Sequence, residues 1–231
     1  MSTIAANLQG VKSRIAAAER VAERSAGSVT LLAVSKTFDA AAVRDCAAAG
    51  QRAFGENYLQ EALDKIAALR AMTLEQALEW HFIGPIQSNK TRPIAENFDW
   101  VHSIERERIA LRLNDARPPA LAPLNVCLQV NVSGEASKSG VSPNEAVALA
   151  LAIAALPRLK LRGLMAIPEP TSDTPLRRQR FATLRQLQHE IIARGCPLDT
   201  LSMGMSDDLE DAVAEGATMV RVGTAVFGKR A

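Results

Sequence analysis

Eight short apolar, β-prone runs recur along this chain with helical patterns between them, and no other feature limits the fold as much. They are "VTLLAVS" from Val29, "RAFG" from Arg52, "EWHFIG" from Glu79, "WVHS" from Trp100, "LNVCLQVNV" from Leu124, "LRGLMAI" from Leu161, "TLSMG" from Thr200 and "TMVRVG" from Thr218. A short apolar run taken alone fits either a strand or a buried helix. Regular alternation with helices favours strands, and it implies a parallel sheet with helices outside. Eight such units predict an α/β fold, a single (β/α)8 barrel. The other α/β arrangement, an open flavodoxin-like sheet, has five strands, too few for this pattern.

The intervening segments carry helix signals. "FDAAAVRDCAAAG" offers Asp39 as N-cap and Gly50 just past the end. "SPNEAVALALAIAALP" offers Ser142 as N-cap, Pro143 in the first turn and Pro157 as a stop. "TPLRRQRFATLRQLQHEIIARG" is read with Leu176, Phe181, Leu184, Leu187 and Ile191 on one face. "SDDLEDAVAEG" places acids in a first turn, where the helix dipole favours them. Few residues follow the eighth run, too few for a full last helix. Before the first run, Leu8, Val11, Ile15, Ala18 and Ala22 keep helical spacing. That extra N-terminal helix is predicted to cover the barrel where a last helix would lie. With no Gly/Ser/Pro-rich linker, residues 1–231 are expected to form one domain, and "RPPALAP" reads as a rigid loop into strand five.

Composition narrows the function classes. With 27 basic and 25 acidic residues, a net charge of +2 and 4% aromatics, the chain lacks both the basic footprint and the stacking surface of a nucleic-acid binder. Cys46, Cys127 and Cys196 show no paired spacing and read as reduced, buried thiols of a cytoplasmic protein. The longest apolar stretch, Ala146 to Leu156, is too short to span a bilayer, and the N-terminus lacks a signal-like apolar core. No membrane partner is expected.

In a barrel the chemistry sits where the strands end. Those ends carry Lys36, "FGENY", "HFIGPIQSNK", "HSIE", "NVSGEASKSG", "MAIPEP", "SMGMSDD" and "RVGTA". Loops after strands seven and eight of such barrels often hold phosphate. Here they offer Gly204 and Ser206, then Gly223, which admits a ligand to the backbone, and the hydroxyl of Thr224. Two ordinary turns with a serine cap account for the same residues. Asp207 and Asp208 read as outward caps. Lys36 reads either as an amine for a carbonyl ligand or as a solvated lysine with its stem on apolar surface. Arg221 lies in an otherwise apolar strand, as a partner for a ring nitrogen or anion, or as half of a structural ion pair. His81 and His102 end neighbouring strands; a metal would need a third ligand, none is evident, and no metal is expected. "SGEASKSG" reads as a rim loop carrying Lys138, and no nucleotide-binding glycine loop occurs.

Together, "LLAVSKT", "FGENYLQE", "WHFIGPIQSNK", "KSG", "RGLMAI" and "LSMGMSDDLEDAVAEGATMVRVGTAVFG" resemble one family, the pyridoxal phosphate homeostasis proteins. The likeness runs from about Leu31 to Gly228, six motifs in order. It implies a fold-type III, alanine-racemase-like barrel without a second β domain, holding pyridoxal 5′-phosphate (PLP). Lys36 matches the lysine that binds PLP covalently as an internal aldimine. Ser206, Gly223 and Thr224 match phosphate-binding positions, Arg221 the arginine near the pyridine nitrogen, and Asn57 a pocket residue. His81 and Met203 are expected to line the same cavity. The resemblance implies no catalytic residue: such proteins carry, buffer or deliver the cofactor and so maintain vitamin B6 and amino-acid balance. Implied partners are PLP and apo forms of PLP-dependent enzymes; the polar outer faces of the helices point to a monomer. Phe38 stands where some relatives carry a second lysine, so Lys138, which matches a family lysine, is the remaining transfer candidate.

An arginine stays charged and accepts no proton, so it leaves the pyridine nitrogen unprotonated. A neutral ring is a poorer electron sink, which suits a carrier, or a racemase of limited reaction scope, better than a broad transaminase. The alternative is a PLP-dependent amino-acid racemase. Alanine racemases add a β-rich domain whose tyrosine serves as opposing base; the one tyrosine here, Tyr58, is not expected to do so. A cofactor-free Schiff-base aldolase is a third reading, although barrel aldolases usually carry the lysine on a later strand.

Overall fold

The computed structural model describes residues 3–72, 76–135 and 139–228. Its strands are β1 (Thr30–Val34), β2 (Ala53–Glu56), β3 (Glu79–Phe82), β4 (Trp100–Ile104), β5 (Leu124–Gln129), β6 (Leu159–Met165), β7 (Thr200–Ser202) and β8 (Met219–Val222). They pair in parallel, in chain order, and β8 closes onto β1 through Thr30↔Met219 to Ala33↔Val222. The helices are α1 (Thr3–Val21), α2 (Ala40–Ala48), α3 (Leu59–Arg70), α4 (Thr91–Asn97), α5 (Glu107–Ala116), α6 (Pro143–Ala154), α7 (Thr174–Ala193), α8 (Leu209–Ala214) and α9 (Thr224–Phe227). All eight expected strands are present, and β6 begins two residues earlier than its apolar run suggested.

Side-chain alternation divides the molecule into two layers. Leu31 and Ala33 of β1, Val126 and Leu128 of β5, and Val220 and Val222 of β8 face outward and merge with the helices into one apolar layer. Among the described residues the barrel interior holds two small apolar clusters: Leu32, Ala53 and Met219, and Trp100, Cys127 and Met165. His81, His102, Ser202 and Arg221 are also buried inside. Gly163 permits the tight β6–β7 approach, since a Cβ there would lie 1.7 Å from the Thr200 carbonyl oxygen.

The N-terminal helix packs against α2, α8 and α9, the position expected from its apolar stripe. Asn7 Nδ2 donates to the Val226 carbonyl at 3.1 Å, and Arg24 Nη1 to that of Ala217 at 2.6 Å. This helix covers the flank that the four-residue α9 leaves bare. Asp39 caps α2 by accepting from Ala42 N–H at 2.8 Å. Gly50 and Gly195 take positive φ of 88° and 87° where α2 and α7 end. Ser142 instead directs its hydroxyl to the Glu145 carboxylate. Leu176 departs from the expected α7 face and is 37% exposed, while Phe181, Leu184, Leu187 and Ile191 are buried. Five residues before Phe181 lies about 140° round the helix, off the buried stripe. Among the described residues, no helix is long and apolar enough to cross a membrane.

Candidate functional site

Lys36 sits in a tight turn just beyond β1. Phe38 N–H donates to the Ser35 carbonyl at 3.1 Å, and Thr37 adopts φ 69°. Left-handed backbone in a β-branched residue is strained, so the turn needs outside support. A charged triad supplies it, with Lys65 and Glu56 buried and Glu61 partly exposed. Lys65 Nζ, from α3, donates to the Ser35 carbonyl at 2.8 Å, to Glu56 Oε1 at 2.6 Å and to Glu61 Oε1 at 2.7 Å. Glu56 Oε1 also accepts from Ser35 Oγ at 2.6 Å, and Glu61 Oε1 from Thr37 N–H at 2.6 Å. The residues on both sides of Lys36 are thereby tied to one buried ammonium. Burial pushes the Glu56 carboxyl above its ordinary value, and Lys65 opposes that rise. The Glu61–Lys65 spacing of four is legible as a helix pair; its place beneath the Lys36 turn is not.

Across the β1–β8 seam lie the two candidate anion loops. Gly223 is half-buried; a Cβ there would approach the Val34 carbonyl oxygen to 3.1 Å. Thr224 is exposed and begins α9. In the neighbouring loop Gly204 has φ 94°, and a Cβ would collide with Ala212 Cβ at 2.5 Å, so the bend requires glycine. Asp208 folds back to accept from Met205 N–H at 2.5 Å and makes no side-chain cap on α8; it is partly buried and within electrostatic reach of Arg221, so of the two expected outward caps only Asp207 is exposed. Ser206 is half-buried, and Arg14 of α1 donates to its carbonyl at 3.1 Å.

Arg221 lies inside the barrel, 4% exposed. Its Nη1 donates to Ser202 O at 2.6 Å and to Ser202 Oγ at 2.8 Å, and its Nη2 to the Ala166 carbonyl at 2.8 Å. Burial lowers it to about 10, against the pull of Asp208, so it is still cationic at neutral pH. It has no carboxylate salt-bridge partner among the described residues; backbone and hydroxyl oxygens hold it instead. Such a cation leaves part of its charge for a ligand.

A cavity of about 280 Å³ opens at the same end, lined by Asn57, Ile83, Ser103, Glu105, Gln129 and Ile167 among others. Asn57 Oδ1 is buried and has no hydrogen-bond partner among the described residues. An orphaned acceptor beside a cavity is costly unless a ligand or water satisfies it. Gly84 brings the β2 and β3 loops together; a Cβ there would lie 2.3 Å from the Asn57 carbonyl oxygen. A larger cavity, about 800 Å³, lies at the opposite end, remote from Lys36.

Two expected pocket residues take other positions. Alternation puts Leu201 and Met203 outward and Ser202 inward, so Met203 is buried in the layer between barrel and helices. His81 is fully buried below the mouth, stacked on Trp100 at 5.3 Å, and its Nε2 meets Glu79 Oε1 at 2.7 Å. Phe38 stacks on Phe227 with ring centroids 4.9 Å apart. Lys138 lies outside the described residues. Sequence reading placed Glu56 at the end of strand two without giving it a role, and missed Lys65, Glu61 and Ser202; their roles arise from contacts with distant segments.

A family model described as "Alanine racemase, N-terminal domain" matches residues 6–231. A Pseudomonas aeruginosa protein named pyridoxal phosphate homeostasis protein is 61% identical over 230 residues, covering 100% of this chain and 97% of that one. The solved structure of PipY from Synechococcus elongatus PCC7942, described with PLP bound, superposes with TM-score 0.83 at 37% identity, over 98% of this chain and 100% of that one. Alanine racemase from Corynebacterium glutamicum gives 0.68 at 20% identity over 96% of this chain and 62% of its own, a likeness of fold alone.

Proposed function

The chain belongs to the alanine racemase N-terminal domain family and, within it, to the pyridoxal phosphate homeostasis proteins, and from that premise we propose that it binds PLP at the barrel mouth and carries or buffers it without catalytic turnover. The observation that carries this reading is the β1–β8 pairing. It brings the Lys36 turn beside Arg221, Gly223 and Thr224, residues from opposite ends of the chain. The groups present fit PLP: an amine, two hydroxyls, an open glycine, a buried cation and an unsatisfied acceptor, Asn57 Oδ1. When bound, the cofactor supplies an electrophilic aldehyde and an electron-accepting ring.

Lys36 would hold it covalently through its amine, and Ser206, Gly223 and Thr224 would hold its phosphate. Arg221 would face the ring nitrogen and, unable to accept a proton, keep it unprotonated. Asn57 would line the ring; His81 and Met203 support the site from beneath and behind. Residues 1–231 act in this reading as one PLP-binding domain, a cytoplasmic monomer serving apo forms of PLP-dependent enzymes. The three buried, unpaired cysteines agree with a reducing compartment.

Adding PLP to purified protein should produce visible absorbance, and borohydride should fix the label on Lys36. Lys36→Ala should stay colourless. A wild-type protein that takes up no PLP, or is labelled on another lysine, would refute the site. Sustained racemisation of alanine, lost in Lys36→Ala, would refute the carrier role.

A further inference from the structure

Between the two apolar clusters inside the barrel runs an unbroken chain of hydrogen bonds. Arg221 Nη1 lies 2.8 Å from Ser202 Oγ. Ser202 Oγ lies 2.9 Å from His102 Nδ1, His102 Nε2 2.9 Å from His81 Nδ1, and His81 Nε2 2.7 Å from Glu79 Oε1. His81, His102 and Ser202 are wholly shielded from solvent. Glu79 begins β3 at the floor and lines the 800 Å³ cavity there, with its side chain 48% exposed. The chain thus spans the barrel from the arginine under the mouth to a carboxylate open to solvent below.

The two ends fix the order of the protons. A guanidinium only donates, and an ionised carboxylate only accepts. Between such ends, one arrangement uses every link. Arg221 donates to Ser202 Oγ, Ser202 O–H to His102 Nδ1, His102 Nε2–H to His81 Nδ1, and His81 Nε2–H to Glu79. Both histidines are then neutral and in the same Nε2–H tautomer. Their surroundings agree: burial, above all, holds both below the ordinary imidazole value. The bond from His81 is the main reason Glu79 lies below the usual carboxylate range, which keeps it ionised. Hydrogen bonds in series polarise one another, and the effect is stronger in a low-dielectric interior.

We propose that Glu79, His81, His102 and Ser202 form a proton-ordered relay through which the floor carboxylate positions and polarises Arg221 at the mouth. Glu79 is a positioning residue, acting at the far end of the barrel from the ligand it affects. Without the floor anion, neither tautomer is enforced, the Ser202 hydroxyl loses its fixed direction, and Arg221 loses one directed acceptor. The proton order stands on the geometry alone; its effect at the mouth rests on the PLP reading above.

Two measurements on the full chain separate these parts. Long-range proton–nitrogen spectra of the ¹⁵N-labelled protein report histidine tautomers, and three histidines in the chain keep the spectra simple. Wild type should show His81 and His102 as neutral Nε2–H tautomers. Glu79→Gln should shift the His102 ring nitrogens, and Ser202→Ala those of His81, each two links away. Unchanged remote rings, or any other tautomer in wild type, would overturn the relay. PLP titrations of wild type, Glu79→Gln, Ser202→Ala and the double variant then form a cycle. Each single change should weaken PLP binding about two- to tenfold, and the double variant should bind no more weakly than Ser202→Ala alone. Additive losses, or no loss in Glu79→Gln, would overturn the coupling. Glu79 is half-exposed, so its substitution keeps the fold testable even if Ser202→Ala does not. If wild type takes up no PLP, the cofactor reading fails while the spectra still decide the proton order.

Discussion

Lys65→Met would remove the ammonium that holds the Lys36 turn while keeping a similar apolar stem. Three charge-assisted bonds are lost, at 2.6 to 2.8 Å. Glu56, with its side chain 0% exposed, is left as a buried carboxyl without its cation. Removing one partner of a buried ion pair costs about 3–5 kcal/mol. An unfolding entropy of about 2.1 cal/mol/K per residue, applied to 231 residues, gives about 0.5 kcal/mol/K, so the melting temperature should fall about 6–10 °C. The loss should also depend on pH. Glu56 already lies above its ordinary 4.5, and without Lys65 it rises further. A carboxyl raised in the folded state contributes stability below its unfolded value and loses it as pH climbs through the folded one. The deficit should therefore be smaller at about pH 4.5 than at about pH 8, and adding Glu56→Gln should recover part of it. Denaturant unfolding at several pH values measures this. A deficit below about 1 kcal/mol, or one constant with pH, would refute the claim that Lys65 compensates a buried charge.

Gly163→Ala places a Cβ against the Thr200 backbone at the β6–β7 seam and should cost about 3 kcal/mol or more, read as a fall in melting temperature or soluble yield. Gly84→Ala forces the Asn57 backbone away from the β3 loop; PLP affinity should drop more than stability does, which titration beside thermal melting would show. Phe38→Lys breaks the stack on Phe227 and should cost about 0.5–1.5 kcal/mol in denaturant unfolding. Burial pushes Cys46 and Cys127 up to about 12 and raises Cys196, so a thiol reagent should label the native protein slowly and all three cysteines after unfolding. Fast native labelling at mildly alkaline pH would contradict that burial.

Much of the candidate site is legible in the linear chain because it lies at strand ends. Lys36 follows an apolar run, and Ser206, Gly223 and Thr224 follow two others, so counting strands suffices to collect them at one mouth. Met203 and Leu176 show where linear reading fails. Met203 lies beside the loop in sequence, yet alternation turns it outward; Leu176 shares an apolar pattern with Phe181 yet lies off its stripe.

Alternation of apolar, β-prone runs with helical patterns determined the barrel, its extra N-terminal helix and the lysine at its lip, since such patterns are local properties of the chain. The tertiary structure decided the rest. His102 meets Ser202 across 100 residues, and Lys65 meets the Ser35 carbonyl across 30. Such contacts depend on register and on closure of β8 onto β1, which the packing of all eight strands sets together. A hydrogen bond forms only within a few tenths of an ångström, and no local pattern specifies position to that tolerance.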